Sequence, residues 1–285
     1  MWSAFALAIL VYIVFAVVPT LGNILLSVTD YGGLPGTPIH FIGGHNYLQL
    51  VTNQLPGFEN SIIVTAIFVV GVTIFQNTIG MMLAHRLRAN SAHASLLRVL
   101  VFLPIVLGVT VVALVWLLLL NPSSGPVALG LGKLGVNSAF FGSSNLALPL
   151  VIIVQIWQNL GFTMVVFIGG LNAIPQEIYD AASMDGVGPW QRFRNVTFPL
   201  MAPSVTANVL LAVVGSFTTY NLIYVLTGGQ FNTNTLGMLS FNAAFGLTAD
   251  LGYGATVSVV LFVLTLIIAL PLLGWLRRRE RVLFS

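Results

Sequence analysis

Residues 179–199 read YDAASMDGVGPWQRFRNVTFP, a charged and aromatic stretch punctuated by Gly186, Gly188, Pro189 and Pro199, in a chain that is otherwise almost all hydrocarbon. That contrast decides the fold class. Of 285 residues, 57% are hydrophobic and only 6% charged, with a mean hydropathy of +0.98; soluble domains carry about 25% charged residues. Ten basic and seven acidic side chains cannot cover a soluble globule of this length. Long uncharged runs are what a hydrocarbon layer about 30 Å thick selects. The sequence therefore predicts an all-α, polytopic membrane protein, a single transmembrane domain over residues 1–285. Six transmembrane helices are expected at residues 2–28, 60–84, 96–120, 146–171, 204–226 and 254–276, with the quoted stretch inside the loop 172–203 between spans four and five. The first span lacks a basic leader and exceeds the roughly 7–15 residues of a signal core, so it is expected to stay attached. A net charge of +3 implies no nucleic acid in such a chain, and the lack of cysteine excludes disulfides, iron–sulfur clusters and thiol catalysis.

Lysine and arginine set the orientation, because loops left in the cytoplasm are enriched in both. Arg86, Arg88 and Arg98 flank the second connection, Arg192 and Arg194 lie in the fourth, and Arg277, Arg278, Arg279 and Arg281 form the tail; the other loops hold only Lys133. Both termini and the quoted stretch are expected on the cytoplasmic side.

The stretch has a legible local plan. Pro175 can open a helix where a missing N–H does no harm, and Gly186 can close it in the left-handed conformation. Gly188 and Pro189 restart the chain, and a second short helix places Trp190 and Phe193 three residues apart on one face. That helix is expected to end before Pro199, since proline disfavours helix in the residue preceding it. The result is a helix pair in which Glu177, Asp180, Asp185, Arg192 and Arg194 lie beside exposed aromatics. Two readings fit: a protein-docking surface, or an interfacial loop whose aromatics sit among lipid headgroups. Exposed apolar surface tilts the choice toward a partner.

The same residues carry a resemblance. YDAASMDGVGPWQRFRNVTFPLMAP resembles the EAA loop of ABC-importer permeases, its pattern falling on Asp180, Ala181, Ala182, Asp185, Gly186, Phe193, Pro199 and Pro203. Asp180 stands where the family has glutamate, which keeps the charge and shortens the side chain by one methylene; the residue before Pro199 is phenylalanine rather than the more usual leucine. LSVTDY, FIGGHNYLQL, LNAIPQEIYDAASMDG and YNLIYVLTGGQF are similar to the carbohydrate-uptake, maltose-type members, so that the likeness runs over residues 26–244. The resemblance implies a multi-pass protein of a bacterial or archaeal cell (inner) membrane. It implies partnership with a second six-span permease, two ATPase subunits and an extracytoplasmic solute-binding protein or lipoprotein. It also implies a coupling role for Asp180, Ala181, Ala182, Asp185, Gly186, Trp190, Phe193 and Pro199 toward the ATPase.

The resemblance accounts for what the chain lacks. Its one Gly-Lys pair, Gly132–Lys133, has Val127 where a P-loop needs glycine and Leu134 where it needs Ser or Thr. No acidic residue or histidine lies within a span away from its ends, where proton- or sodium-coupled carriers keep them. The chain is therefore expected to bind no cofactor and to be no enzyme, with ATP and Mg at the partner ATPase subunits.

The polar residues inside the spans are neutral: Thr73, Gln76 and Asn77; Gln155, Gln158, Asn159 and Thr163; Ser216, Thr218, Thr219, Tyr220, Asn221 and Tyr224. Gln155, Gln158 and Asn159 share a helical face by spacing. Amides near Trp157, Phe162, Phe217 and Tyr220 suit a ligand rich in hydroxyls and flat apolar surface, so Gln155, Gln158, Asn159, Thr163, Phe217, Tyr220, Asn221 and Tyr224 are the candidate substrate pathway, with a di- or oligosaccharide the expected cargo. The competing reading is helix packing, since such residues bridge membrane helices at about 0.6 kcal/mol apiece. An anionic cargo such as glycerol 3-phosphate finds no fixed cation in the spans. A secondary carrier would show charge in the membrane and an inverted repeat, and His40, His45, His85 and His93 have no catalytic or metal-ligand spacing.

Overall fold

Each of the six predicted apolar stretches is helical over most of its length in the structure, a computed structural model that describes residues 2–34, 36–52, 57–246 and 249–284, without the side chains of residues 2–4 and 281–284. The Arg281 side chain, counted in the basic tail, lies outside the described residues. Among those residues there is no strand, only an isolated antiparallel bridge between Thr29 and Phe41. The helices are α1 (Trp2–Tyr12), a π turn (Ile13–Val17), α2 (Val18–Leu26), α3 (His45–Val51), α4 (Phe58–Leu87), α5 (Ala92–Val106), α6 (Val109–Leu119), α7 (Pro126–Gly132) and α8 (Ala147–Asn172). There follow α9 (Gln176–Met184), α10 (Pro189–Arg192), a second π turn (Phe193–Thr197), α11 (Phe198–Leu200), α12 (Ala202–Thr218), α13 (Asn221–Thr227), α14 (Leu236–Phe245) and α15 (Leu251–Phe284). Four helical runs are long and apolar enough to cross a bilayer: Phe5–Leu26, α4, α8 and the Leu251–Glu280 part of α15.

Two expected spans are broken. Residues 96–120 form α5 and α6 bent by 103°. Pro104 has no N–H to give, the Leu107 N–H turns back tightly to the Pro104 carbonyl, and Leu107 and Gly108 are extended, with ψ of 140° and 141°. Residues 204–226 are helical only to Thr218, with Thr219 extended at ψ 113° and a restart at Asn221. Here the Thr218 and Thr219 hydroxyls donate to the Gly215 carbonyl at 3.1 and 2.8 Å, so side chains compete for a carbonyl the helix would use.

The expectation that the second helix of the pair ends before Pro199 is also corrected. Helical backbone continues through it, and Phe198, the residue before the proline, has φ −64° and ψ −41°. Proline removes one helical donor and crowds the carbonyl four residues back. The π turn meets both problems by widening the helix just ahead of the ring, the Phe198 N–H bonding to the Phe193 carbonyl across five residues. The same device precedes Pro19, where the Val18 N–H bonds to the Ile13 carbonyl.

The chain groups into two compact units, residues 1–65 with 234–265, and residues 66–233 with 266–285. In the first, the segment after α2 is held by side chains. The Asn46 amide donates to the Ser27 and Thr29 carbonyls at 3.2 and 2.9 Å, and the Thr256 hydroxyl donates to the Ser27 carbonyl at 2.9 Å. The Asp30 carboxylate accepts the His40 backbone N–H and meets its ring nitrogen, both at 2.8 Å, which holds the acid below its ordinary range.

In the second unit α8 is the central helix, buried at Val151, Val154, Gly161, Met164, Phe167 and Leu171. It is approached closely because its interfaces are small. A Cβ on Gly161 would lie 2.5 Å from both the Phe102 Cα and the Val101 carbonyl oxygen of α5, and one on Gly80 of α4 would lie 2.6 Å from the Thr163 methyl. Met81, Ala84 and Leu87 of α4, Met164, Phe167 and Leu171 of α8, Tyr179 and Met201 form the cluster on which the α9–α10 helix pair rests.

Candidate functional site

Sequence reasoning nominated two regions, and both fall within the second unit. The helix pair is built as its residues dictate. α9 closes in a Schellman motif: the Gly186 N–H bonds to the Ser183 carbonyl and the Val187 N–H to the Ala182 carbonyl, each at 3.2 Å, with Gly186 at φ +68°. A Cβ at Gly186 would meet nothing within 4 Å, so the position requires glycine for its backbone and not for space. Ala182 is buried on the core side with Tyr179, whereas Asp180, Ala181 and Asp185 face outward. The Gln176 amide donates to the Asp180 carboxylate at 3.0 Å, one helical turn away.

Trp190 is 70% exposed and stacks on Phe193 at 5.9 Å between centroids. Phe193 itself is half-buried, meeting the rings of His85 at 6.1 Å and Phe198 at 6.2 Å. The expected pair is therefore a single outward anchor, Trp190, standing on an inward support. Pro199 is half-buried in α11 and shapes the chain rather than the surface. Met184, 88% exposed on the outer side of α9, is an apolar surface residue that the sequence reading passed over. Its position two residues beyond the buried Ala182 on a short amphipathic helix was the available signal.

The second region is a cavity of about 260 Å3 walled by α4, α5, α8 and α12. Gln155, Asn159 and Thr163, spaced by four along α8, line it together with Gln76, Asn208 and Ser216. The Gln76 amide donates to the Thr163 hydroxyl at 2.8 Å and the Asn208 amide to the Thr163 carbonyl at 3.2 Å, so both belong in part to helix packing. The Asn159 amide donates to the Gln155 carbonyl at 2.9 Å. Ser216 is 2% exposed, and its hydroxyl has no hydrogen-bond partner among the described residues. No charged residue lines the cavity.

The structure does not bring the rest of the predicted pathway here. Gln158 turns toward the α5–α6 break and donates to the Leu107 carbonyl at a long 3.5 Å, although spacing put it on the face of Gln155 and Asn159. A helix advances about 100° per residue, so Gln155, Gln158 and Asn159 straddle the cavity edge rather than share its wall. Phe217 is buried at 4% exposure, while Tyr220 and Tyr224, 40% and 52% exposed, and the exposed Asn221 belong to the restart after α12. The Asn221 side chain accepts the Leu222 N–H at 2.9 Å. Asn208 was missed; the spacing Asn208, Ala212, Ser216 on one face of α12 could have found it.

The chain matches, over residues 76–281, the family described as binding-protein-dependent transport system inner membrane component. A probable ABC transporter permease of Pyrococcus horikoshii is 32% identical over 95% of this chain and 92% of its own. The trehalose/maltose transport system permease MalF of Thermococcus litoralis is 30% identical over 90% of this chain and 86% of its own. The multiple sugar-binding transport system permease MsmF of Streptococcus mutans is 28% identical over 92% and 90%. Among solved structures, a chain of a bacterial ABC transporter involved in alginate import superposes with a TM-score of 0.84 at 20% identity, covering 97% of this chain and 96% of that one.

Proposed function

This chain belongs to the family of binding-protein-dependent transport system inner membrane components, and from that premise we propose that it is the permease subunit of an ATP-driven importer that moves a sugar, a di- or oligosaccharide, across a bacterial or archaeal inner membrane. The observation that carries the cargo class is the neutral, amide-lined cavity of Gln76, Gln155, Asn159, Thr163, Asn208 and Ser216. Carboxamides and hydroxyls offer donors and acceptors to a polyol without asking for charge. A phosphate ester would enter that cavity with no cation to meet it, so glycerol 3-phosphate is the less favoured cargo. Relatives named for trehalose and maltose, for multiple sugars and for starch degradation products support the same class.

In this reading the four straight helices and the two bent pairs make six spans, both termini are cytoplasmic, and a second permease completes the pathway. Two ATPase subunits hold ATP and Mg, an extracytoplasmic binding protein delivers the sugar, and α9–α10 is the coupling element against the ATPase. Orientation has a direct test. Cysteines at Ser123 and Thr233 should react with an impermeant thiol reagent in sealed cells and one at Ser183 should not; labelling at Ser183 would reverse the arrangement.

The cavity is tested by Asn159→Ala, which removes a wall amide without entering a helix contact that the Gln76–Thr163–Asn208 bonds supply. Loss of one hydrogen bond to cargo predicts a reduction in sugar uptake of about fivefold with the complex still assembled. Undiminished uptake would return Asn159 to helix packing.

A further inference from the structure

A second and larger cavity, about 830 Å3, opens as a groove on the face of α4 and α12 beside the coupling element. Its walls include Met81, Met82, Phe167, Phe198 and Val209, and Trp190 and Arg194 stand among its lining. Arg194 is exposed, and the half-buried Arg279 guanidinium lies 4.9 Å from the centre of the Phe198 ring. Neither arginine has an ion-pair partner among the described residues. An apolar trough with Trp190 and Arg194 in its lining, and with Arg279 over the Phe198 ring of its wall, has the two-part chemistry of a phospholipid site: aromatic and cationic residues gather at the level of the headgroups, and apolar walls accept an acyl chain.

We propose that this groove binds one anionic phospholipid of the cytoplasmic leaflet, its acyl chain along Met82 and Val209 and its phosphate at Arg194 and Arg279. The lipid would pack against Phe193 and Phe198, the side chains that support Trp190, so that lipid composition would bear on the coupling element. This inference goes beyond the transport reading and rests on two parts of it, that the chain is a membrane component and that α9–α10 lies on the cytoplasmic side.

The test uses the purified transporter in phosphatidylcholine vesicles carrying an increasing minor fraction of either brominated phosphatidylglycerol or brominated phosphatidylcholine. The signal is the fluorescence lost in Trp190→Phe, which isolates Trp190 from the other tryptophans. The expected result is quenching by the anionic lipid at a fraction lower by about fivefold or more, fivefold being the factor that about 1 kcal/mol from a single interfacial arginine represents. The preference should vanish in the Arg194→Gln, Arg279→Gln double variant, and quenching by both lipids should fall in Val209→Phe, which fills the trough. Equal quenching by the two lipids in the unaltered protein overturns the proposal. So does cross-linking of Met82→Cys to the second permease with no quenching, since the groove would then be filled by protein, whose donors would meet the buried and unpartnered Asn77 Oδ1. None of these readouts measures transport, so a failure here leaves the sugar assignment untouched, and the reverse holds too.

Discussion

A permease carrying Gly186→Val, and separately one carrying Trp190→Ala with Phe193→Ala, is expected to remain folded in the membrane yet lose its ATPase subunits on purification or cease to pass hydrolysis on to transport. The two variants attack the proposed coupling element differently. Gly186 sits at φ +68° with open space around it, so valine there is strained by its backbone alone, by about 1–2 kcal/mol or more for a β-branched side chain. The Schellman closure to Ala182 and Ser183 would open, and α10 would leave α9 at another angle. In the double variant the frame survives and the exposed anchor goes. Truncating an aromatic of this kind commonly weakens a contact by about 2 kcal/mol or more, roughly thirtyfold in affinity. Because Phe193 also contacts His85 and Phe198, Trp190→Ala alone separates the anchor from its support. Co-purification of the ATPase with tagged permease reads the outcome, followed by substrate-stimulated hydrolysis in liposomes. Full retention and coupling in both variants would make α9–α10 a headgroup-level loop.

Gly161→Ala is expected to prevent recovery of the folded protein, whereas Gly169→Ala, further along the same helix, should be tolerated. A Cβ at Gly161 lands 2.5 Å from backbone atoms of α5, which cannot rotate away as a side chain can, while one at Gly169 meets nothing within 4 Å. Relief requires α5 and α8 to separate, with the loss of their packing. Overpacking that forces side chains off their rotamers and shifts backbone costs about 1–3 kcal/mol, occasionally more. Monodispersity and thermal stability in detergent compare the pair directly. Equal stability would mean that the α5–α8 approach is looser than 2.5 Å implies.

Hydropathy located the helices because the bilayer imposes one requirement, apolarity over about 20 residues, and that requirement is written in composition. It did not locate the breaks. Leu107–Gly108 lies inside an apolar run, where the helix is interrupted by the missing N–H of Pro104, while Thr219–Tyr220 lies among polar residues that also fit a substrate pathway, where the Thr218 and Thr219 hydroxyls compete for the Gly215 carbonyl. The continuation through Pro199 was hidden for a similar reason, since a π turn is a local register change that no residue pattern announces. The α9–α10 helix pair was legible as structure because glycine, proline and aromatics each carry a positional meaning there. The cavity was half legible. Gln155 and Asn159 follow from their spacing, but which side of α8 faces α4 and α12 depends on the glycine contacts, and those decide that Gln158 turns away.

The most direct measurement is uptake of labelled disaccharide or oligosaccharide by liposomes containing this chain with the proposed companion permease, ATPase subunits and binding protein. ATP-dependent accumulation that requires both the binding protein and the Trp190 anchor is the predicted result. Accumulation that proceeds without the ATPase subunits, driven by an ion gradient alone, would contradict it.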